Sequence, residues 1–306
     1  MAAELEDKPI TVYAAIGANT LVALSKFVVA AITHSSAMLS EGIHSLADSG
    51  NQGLLLLGIH LAKRPPDDVH PFGYGKEIYF WSLIVAIILF GVGGGVSLYE
   101  GVNHLIRPTE IEDVVGNYIV LALAAVFESI SFLVALRELR KTMPTQNIFS
   151  AVHTSKDPKL FLVLFEDTAA LAGLLVAFLG IFIGQQLSLP ALDAVASLII
   201  AVILMTMAGI LAYESRELLL GEAADPEIVS SIRQIVSGDD AILDVHRPMT
   251  MHLGPDDVLL NMKLTFREDL TSGQIARAID RIESKIGSRY PRIKRIYLEA
   301  ETFKQE

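Results

Sequence analysis

The sequence contains no cysteine among its 306 residues. This absence excludes disulfide bonds, thiolate metal sites and cysteine nucleophiles, so any bound metal must be held by histidine, aspartate, glutamate or backbone oxygen. Basic residues are also scarce, since 24 lysines and arginines stand against 35 aspartates and glutamates and the formal net charge is −11. The deficit argues against nucleic acid as a partner, because phosphate binding requires clustered positive charge.

Motifs of common enzyme classes are missing as well. The sequence has no HExxH zinc motif, no glycine-rich phosphate loop and no pairing of a nucleophile with a base. We therefore expect neither an enzymatic activity nor a prosthetic group.

Long apolar runs dominate the chain up to residue 213. Apolar residues make up 52% of the sequence and the mean hydropathy is +0.46, which is too apolar for a soluble protein of this size. A helix needs roughly 20 apolar residues to cross a bilayer. The runs that are long enough lie near residues 10–33, 38–62, 78–105, 116–136, 160–185 and 189–213. The sequence thus predicts an α-helical membrane protein with six spans.

Lysine and arginine are concentrated in two of the loops between these runs. The second loop carries Lys63, Arg64 and Lys76, and the fourth, residues 137–159, carries five basic residues. Short basic loops stay in the cytoplasm, so we expect both termini to be cytoplasmic. The N-terminus lacks the basic region of a cleavable signal peptide, so we expect the first run to remain as a span. A bacterial inner membrane is the expected location.

The C-terminal part has a different, amphipathic pattern. Residues 258–266 alternate with period two, whereas residues 272–290 repeat their apolar positions at three and four. With a helix near 226–237 and strands near 242–251 and 293–299, the order is αββαβ. We predict a membrane domain over residues 1–215 and a cytoplasmic α+β domain over 216–306, with a small antiparallel, ferredoxin-like sheet covered on one face by two helices.

The second predicted span contains a histidine and an aspartate at helical spacing. His44 and Asp48 are four residues apart, which places them on one helical face about one turn from each other. Such a pair suits a divalent cation of zinc type. The alternative is a hydrogen bond that only holds helices together, and the spacing alone does not decide between them.

The fifth predicted span contains two adjacent acids, Glu166 and Asp167. Neighbours on a helix project about 100° apart, so we expect at most one to share a cluster with His44 and Asp48. Asp167 is the first choice, and its alternative role is to pair with Lys26. Other intramembrane polar residues rank lower as ligands: Asn19, Glu41, Asn51, Glu128 and Asp193. Glu128 is interpreted as a helix contact, and Glu41 and Asp193, near span ends, as wetted.

The stretch SSAMLSEGIHSLADSGNQ, followed by KRPPDDVHPFGYGKEIYFW and YEGVNHLIRP, resembles the cation diffusion facilitator family of metal/proton antiporters. The resemblance runs from about residue 10 to residue 300. It implies a homodimer of six-helix protomers in the lipid bilayer. It also implies a transport site formed by the second and fifth spans, and a cytoplasmic tail that dimerises and often binds metal.

His44 and Asp48 fall on the family's HxxxD positions, but the fifth span departs from the pattern. Zinc transporters of the family usually repeat HxxxD there, whereas Val163 stands four residues before Asp167. The expected ligands are therefore His44, Asp48 and Asp167, with Glu166, water or a backbone oxygen completing the shell.

The expected function is export of Zn²⁺ by proton antiport with alternating access. A site with one nitrogen and mostly oxygen ligands would also accept Mn²⁺ or Fe²⁺, and Co²⁺ and Cd²⁺ are further candidates. A non-transporting membrane metal sensor or scaffold is the alternative from another class.

The second loop and the tail hold weaker metal candidates. Asp67, Asp68 and His70 match positions where some family members bind a second ion, but Tyr74 stands where those members have a further histidine. Asp67 and His70 are thus lower-ranked ligands. In the tail, His246, His252 and Glu299 are candidates without the family's His-rich pattern, so dimerisation is the expected use of this domain.

Overall fold

The computed structural model describes residues 9–107, 114–142 and 158–301. They divide into two compact units. The first holds the described residues up to His60 together with Phe80–Ser215, and the second holds Leu61–Tyr79 together with those from Arg216 onward. Of the five basic positions of the fourth loop, Lys156 lies outside the described residues.

Six long helices lie at the positions of the six apolar runs. They are α1 (Pro9–Thr33), α2 (Ser36–Ala62), α3 (Glu77–Ile106), α4 (Val114–Thr142), α5 (Pro158–Leu187) and α6 (Ala191–Leu220). Within the described part of the chain, α3 to α6 are long and apolar enough to cross a membrane by length and composition. α2 is less apolar, because it carries the polar residues singled out above.

A π-helical turn, Leu89–Gly95, interrupts α3. The turn is glycine-rich, and a side chain at Gly94 would collide with Met205 of α6. About two turns further along α3, Gly101 lies against Leu198 of α6, where a β-carbon would be 2.8 Å from the Leu198 Cδ2. These glycines therefore allow α3 to pack closely on α6.

Asp193, at the start of α6, caps the N-terminus of α2. Its carboxylate accepts hydrogen bonds from the backbone N–H groups of Ser36, at 2.6 Å, and Ala37, and from the Ser35 hydroxyl. The first N–H groups of a helix have no partner within the helix, so the carboxylate satisfies them. The prediction that Asp193 is wetted is wrong, because this role buries it to 3% exposure.

The second unit contains α7 (Pro226–Ser237), β1 (Ile242–Val245), β2 (Met249–Gly254), β3 (Asp257–Phe266), α8 (Ser272–Arg289) and β4 (Ile293–Glu301). The predicted strand over 242–251 is wrong in one respect, because it is broken into β1 and β2. β1 pairs with the end of β3 and β2 with its beginning. The break contains Pro248, which has no N–H to give to a sheet.

The predicted antiparallel sheet is in fact mixed. β1 and β2 run antiparallel to β3, but β4 pairs with β3 in parallel, from Val258 opposite Ile293 to Thr265 opposite Glu301. A parallel pair needs a long connection, and α8 provides it. Buried residues of β3 and both helices form the core: Leu260, Met262, Leu264, Ile232, Val236, Ala278, Ile282 and Ile286.

The loop between α2 and α3 belongs to this second unit. The Arg295 guanidinium of β4 donates to the backbone carbonyl of Phe72 at 2.9 Å and lies over the Phe72 ring at 5.2 Å. Gly75 packs against the backbone of Leu253 and Gly254 so closely that no side chain would fit. The loop therefore groups with the tail domain rather than with the helices that it joins.

Candidate metal site

His44 and Asp48 are neighbours on the buried face of α2, as their spacing predicts. His44 is 0% exposed and Asp48 is 8% exposed. His44 Nδ1 and Asp48 Oδ1 are 3.4 Å apart. This contact fits both interpretations of the pair, as metal ligands and as a helix-stabilising interaction.

A small cavity within the first unit brings acidic side chains of three helices together. Its lining consists of Val22 from α1, Ser45, Asp48 and Gln52 from α2, Phe127, Glu128 and Ser131 from α4, and Glu166 and Asp167 from α5. The cavity has a volume of about 40 Å³, which is room for a few water molecules or a single ion. Four carboxylates thus converge on a space with room for a single cation.

Both acids of α5 line this cavity together with Asp48, although we expected at most one of them to do so. They differ in their contacts. Glu166 Oε1 accepts a hydrogen bond from Asn51 Nδ2 at 2.8 Å. Asp167 Oδ2 is buried and has no hydrogen-bond partner among the described residues. The Asp167 carboxyl group also interacts by a hydrogen bond with the Ser131 side chain of α4, so each of the two acids is held by a side chain of a neighbouring helix.

His44 stands apart from the cavity lining. Its two ring nitrogens are buried and make no hydrogen bond within the described part of the chain, and Asp48 Oδ1 lies 3.4 Å from Nδ1. Among the described residues, no group of three or more histidine and acidic side chains is close enough to hold a metal ion. A coordination shell built from these residues would require the side chains of α2 and α5 to move closer together.

Glu128, which the sequence analysis interprets as a helix contact, lines the cavity together with Asp48, Glu166 and Asp167. The sequence signal for this position is an acidic residue in the middle of an apolar run, because placing an ionisable side chain inside a membrane is energetically unfavourable. Ser131, one turn further along α4, was not identified from the sequence.

Lys26 of α1 pairs with Glu41 of α2, not with Asp167. The Lys26 ammonium lies 3.1 Å from Glu41 Oε2 and donates to the Ser45 hydroxyl at 2.7 Å. Lys26 and Glu41 are both 0% exposed. The prediction that Glu41 is wetted is therefore wrong, since its position near the span end is covered by α1 and α5.

Asp67 and His70 lie together in the loop, about half exposed, with 3.7 Å between Oδ1 and Nδ1. The Asp67 carboxylate is already engaged, because it accepts the Tyr74 hydroxyl at 2.7 Å and the backbone N–H groups of Val69 and His70. These bonds, with that from Tyr74 the largest influence, hold the pKa of Asp67 below its ordinary value. Tyr74 thus closes the loop onto Asp67.

The three tail candidates are engaged separately. His246 Nε2 lies 3.4 Å from Glu301, and Glu299 lies 3.9 Å from Lys263. His252 is buried in the second unit, at 6% exposure. These contacts do not bring the three residues into one cluster within the described tail.

Comparison with known proteins gives the family. The model of the cation efflux transmembrane domain matches residues 12–220. The chain is 34% identical over 257 residues to the human proton-coupled zinc antiporter SLC30A9, mitochondrial, covering 83% of this chain and 45% of the human protein. It is 29% identical to metal tolerance protein C4 of Arabidopsis thaliana over 254 residues, 82% of this chain and 56% of that protein.

A bacterial relative matches over most of its length. The manganese efflux system protein MneP of Bacillus subtilis (strain 168) is 27% identical over 268 residues, 87% of each chain. By contrast, the chain spans about half the length of SLC30A9 and metal tolerance protein C4. The domain match, the acidic cavity and the His44–Asp48 pair agree, and the chain belongs to the cation diffusion facilitator family of membrane transporters for metal cations.

Proposed function

We propose that this protein exports divalent metal cations, with Zn²⁺ the first substrate, in exchange for protons. The observation that carries the proposal is the cavity in which Asp48, Glu128, Glu166 and Asp167 converge among apolar helices. Ionisable groups are costly inside a membrane. A divalent cation offsets the charge of the carboxylates. The cluster is therefore energetically unfavourable when it holds no cation, and cation binding relieves this.

The proposed ligands are the His44 imidazole and the carboxylates of Asp48 and Asp167, with Glu166 completing the shell. Zn²⁺ takes such nitrogen and oxygen ligands at about 2 Å in tetrahedral geometry. Because α2 and α5 supply all four side chains, metal binding would pull these helices together. We infer that this movement closes one side of the site, as alternating access requires.

Proton coupling follows from the chemistry of the ligands. Imidazole and carboxylate must be deprotonated to bind metal, so binding releases protons and protonation releases metal. We infer that the imidazole of His44 and the carboxylates exchange protons for the metal ion at the same atoms. The relative SLC30A9 is named as a proton-coupled zinc antiporter, which supports this part of the proposal.

A manganese- or iron-preferring exporter is the second candidate. The proposed site holds one nitrogen donor and three carboxylates, and Glu128 adds a fourth carboxylate to the cavity lining. Oxygen donors of this kind suit Mn²⁺ better than nitrogen and sulfur donors do. MneP, which matches 87% of the chain, is named as a manganese efflux protein. Measured metal selectivity distinguishes the two candidates.

The proposed setting is a homodimer in a bacterial inner membrane. All six helices α1 to α6 span the bilayer, and both termini face the cytoplasm, as the basic second and fourth loops indicate. Residues 216–306 form the cytoplasmic dimerisation domain.

Transport into liposomes tests the proposal. The purified protein is reconstituted with an internal pH dye and a metal-sensitive dye, and Zn²⁺, Mn²⁺, Fe²⁺, Co²⁺ or Cd²⁺ is added with and without a pH gradient. The site variant is His44→Ala with Asp48→Ala. The matched control is His60→Ala, which alters an exposed histidine of the same helix.

We expect metal flux coupled to opposite proton flux in the wild type and in His60→Ala, and no flux in the site variant. The order of the five metals separates a zinc exporter from a manganese exporter. Absence of flux for every metal, from protein that is folded, would refute the transporter and favour a metal sensor.

A further inference from the structure

The Lys26–Glu41 pair is buried deep inside the helical unit. Lys26 lies seven residues before the end of α1, about 10 Å along the helix axis, and no part of it reaches the surface. Among the described residues, it is the only buried lysine or arginine. The pair therefore differs from a lysine that extends its ammonium to the membrane surface.

The positive end of this pair faces the acidic cavity. The Lys26 ammonium donates to Ser45, and Ser45 lines the cavity beside Asp48. Glu41 is not part of the lining, and its Oε1 lies instead against the backbone of Gly173 in α5. The ammonium is thus bonded both to an anchoring carboxylate and to a residue of the cavity lining.

The charge of Lys26 acts on the site residues. It is close enough to His44, Asp48 and Glu128 to interact electrostatically with each of them. A buried ion pair is weak evidence for a stabilising role, because desolvation offsets most of the attraction between its partners. Placing a fixed cation beside a cation site has, by contrast, a direct effect on the ion that binds there.

We propose that Lys26 is a positioning residue for transport, a fixed positive charge that weakens divalent-cation binding in the cavity enough to permit release. Glu41 and Ser45 hold the ammonium at a set distance from the carboxylates. The inference rests on the proposed function, since it assigns a cation to the cavity. A site of four carboxylates without this charge would bind the cation too tightly to release it quickly.

The test is a pair of neutral replacements that leave no unpaired buried charge. Lys26→Met with Glu41→Gln removes both charges and keeps the side-chain volumes similar. Lys26→Arg keeps the charge and is the matched control. Zn²⁺ and Mn²⁺ affinities of the purified full chain are measured in detergent by competition with a chelating dye, and metal flux is measured in liposomes.

We expect the neutral double variant to bind metal several-fold more tightly and to transport it more slowly, because it removes a charge pair whose positive member is bonded to the cavity lining whereas its negative member lies outside that lining. Lys26→Arg should stay close to the wild type in both measurements. If Lys26 and Glu41 served only to stabilise the fold, the double variant would bind metal more weakly than the wild type, because its cavity would be distorted.

Unchanged or weaker metal affinity in the folded double variant would overturn the inference and leave the proposed function intact. Wild-type protein that binds neither metal would instead refute the proposed function. If the double variant does not fold, Lys26→Gln with Glu41→Gln replaces it, because these side chains can keep a hydrogen bond between the two helices. The expected result is the same: tighter metal binding and slower transport.

Discussion

Asn51 of α2 donates a hydrogen bond to Glu166 of α5, with 2.8 Å between Nδ2 and Oε1. Neither residue is more than 5% exposed. Asn51 stands three residues after Asp48, so this bond joins the two helices of the proposed site at the level of the cavity. It engages one oxygen of Glu166, whereas Asp167 Oδ2 has no hydrogen-bond partner in the described residues.

The first prediction separates these two acids. Asp167→Asn should lower metal affinity and flux by about a hundredfold, because it removes an ionised ligand with a free oxygen. Glu166→Gln should cost about tenfold or less, since the amide still accepts the bond from Asn51. Dye competition and liposome flux measure both effects. The reverse order would make Glu166 the fifth-helix ligand.

The second prediction concerns Glu128, which the structure places on the cavity wall. Glu128→Gln should weaken divalent-cation binding several-fold, because it removes a negative charge near the ion without removing a proposed ligand. The matched control is Glu138→Gln, an exposed position on the same helix, which should leave binding unchanged. Equal affinities for the two variants would show that Glu128 serves packing alone.

The third prediction concerns Gly173, whose missing side chain makes room for the Glu41 carboxylate. Gly173→Ala should displace Glu41 from Lys26 and destabilise the protein by about 1–3 kcal/mol through overpacking. In α6, Gly209 has open space around it, so Gly209→Ala should be neutral or stabilising by up to about 1 kcal/mol. Thermal unfolding in detergent compares them, and equal melting temperatures would argue against the close Gly173–Glu41 contact.

The fourth prediction concerns pH and the loop. The hydrogen bond from Tyr74 is the largest cause of the lowered pKa of Asp67, so Tyr74→Phe should raise that pKa toward the ordinary value of about 4. In the wild type, the hydrogen bonds to Asp67 stabilise the loop fully at pH values above the ordinary pKa of aspartate. This stabilisation is lost as the pH falls through the lowered pKa of Asp67.

Carbon NMR of labelled aspartate follows the titration of Asp67 in the wild type and in Tyr74→Phe. An unchanged pKa for Asp67 in Tyr74→Phe would mean that the backbone N–H groups of Val69 and His70 hold the carboxylate without help from Tyr74.

The sequence predicted the features that depend on local spacing. The apolar runs gave the positions of α1 to α6, because a helix in lipid needs a continuous apolar stretch. The four-residue spacing placed His44 beside Asp48, since a helix returns to the same face after about one turn. Alternation over residues 258–266 gave β3 and its buried face.

Features that depend on distant partners were predicted less well. Asp193 and Glu41 lie near helix ends in the sequence, but α2 and Lys26 cover them in the fold. β1 and β2 are separate strands because they pair with different parts of β3, and β4 pairs with β3 in parallel. Period-two alternation identifies a strand but does not say which strand it pairs with or in which direction. The grouping of the α2–α3 loop with the tail depends on Arg295, more than 200 residues away.

The sequence by itself determined that the chain is a helical membrane protein with an α+β tail, and that His44 and Asp48 share one face of a helix. These features follow from composition and helical period, which act over a few residues. Only the tertiary structure decided that Glu128, Glu166 and Asp167 meet Asp48 around one cavity, and that Lys26 bonds to Ser45 of the cavity lining. Such convergence depends on how separate helices rotate and pack, and each helix's own sequence leaves that rotation open.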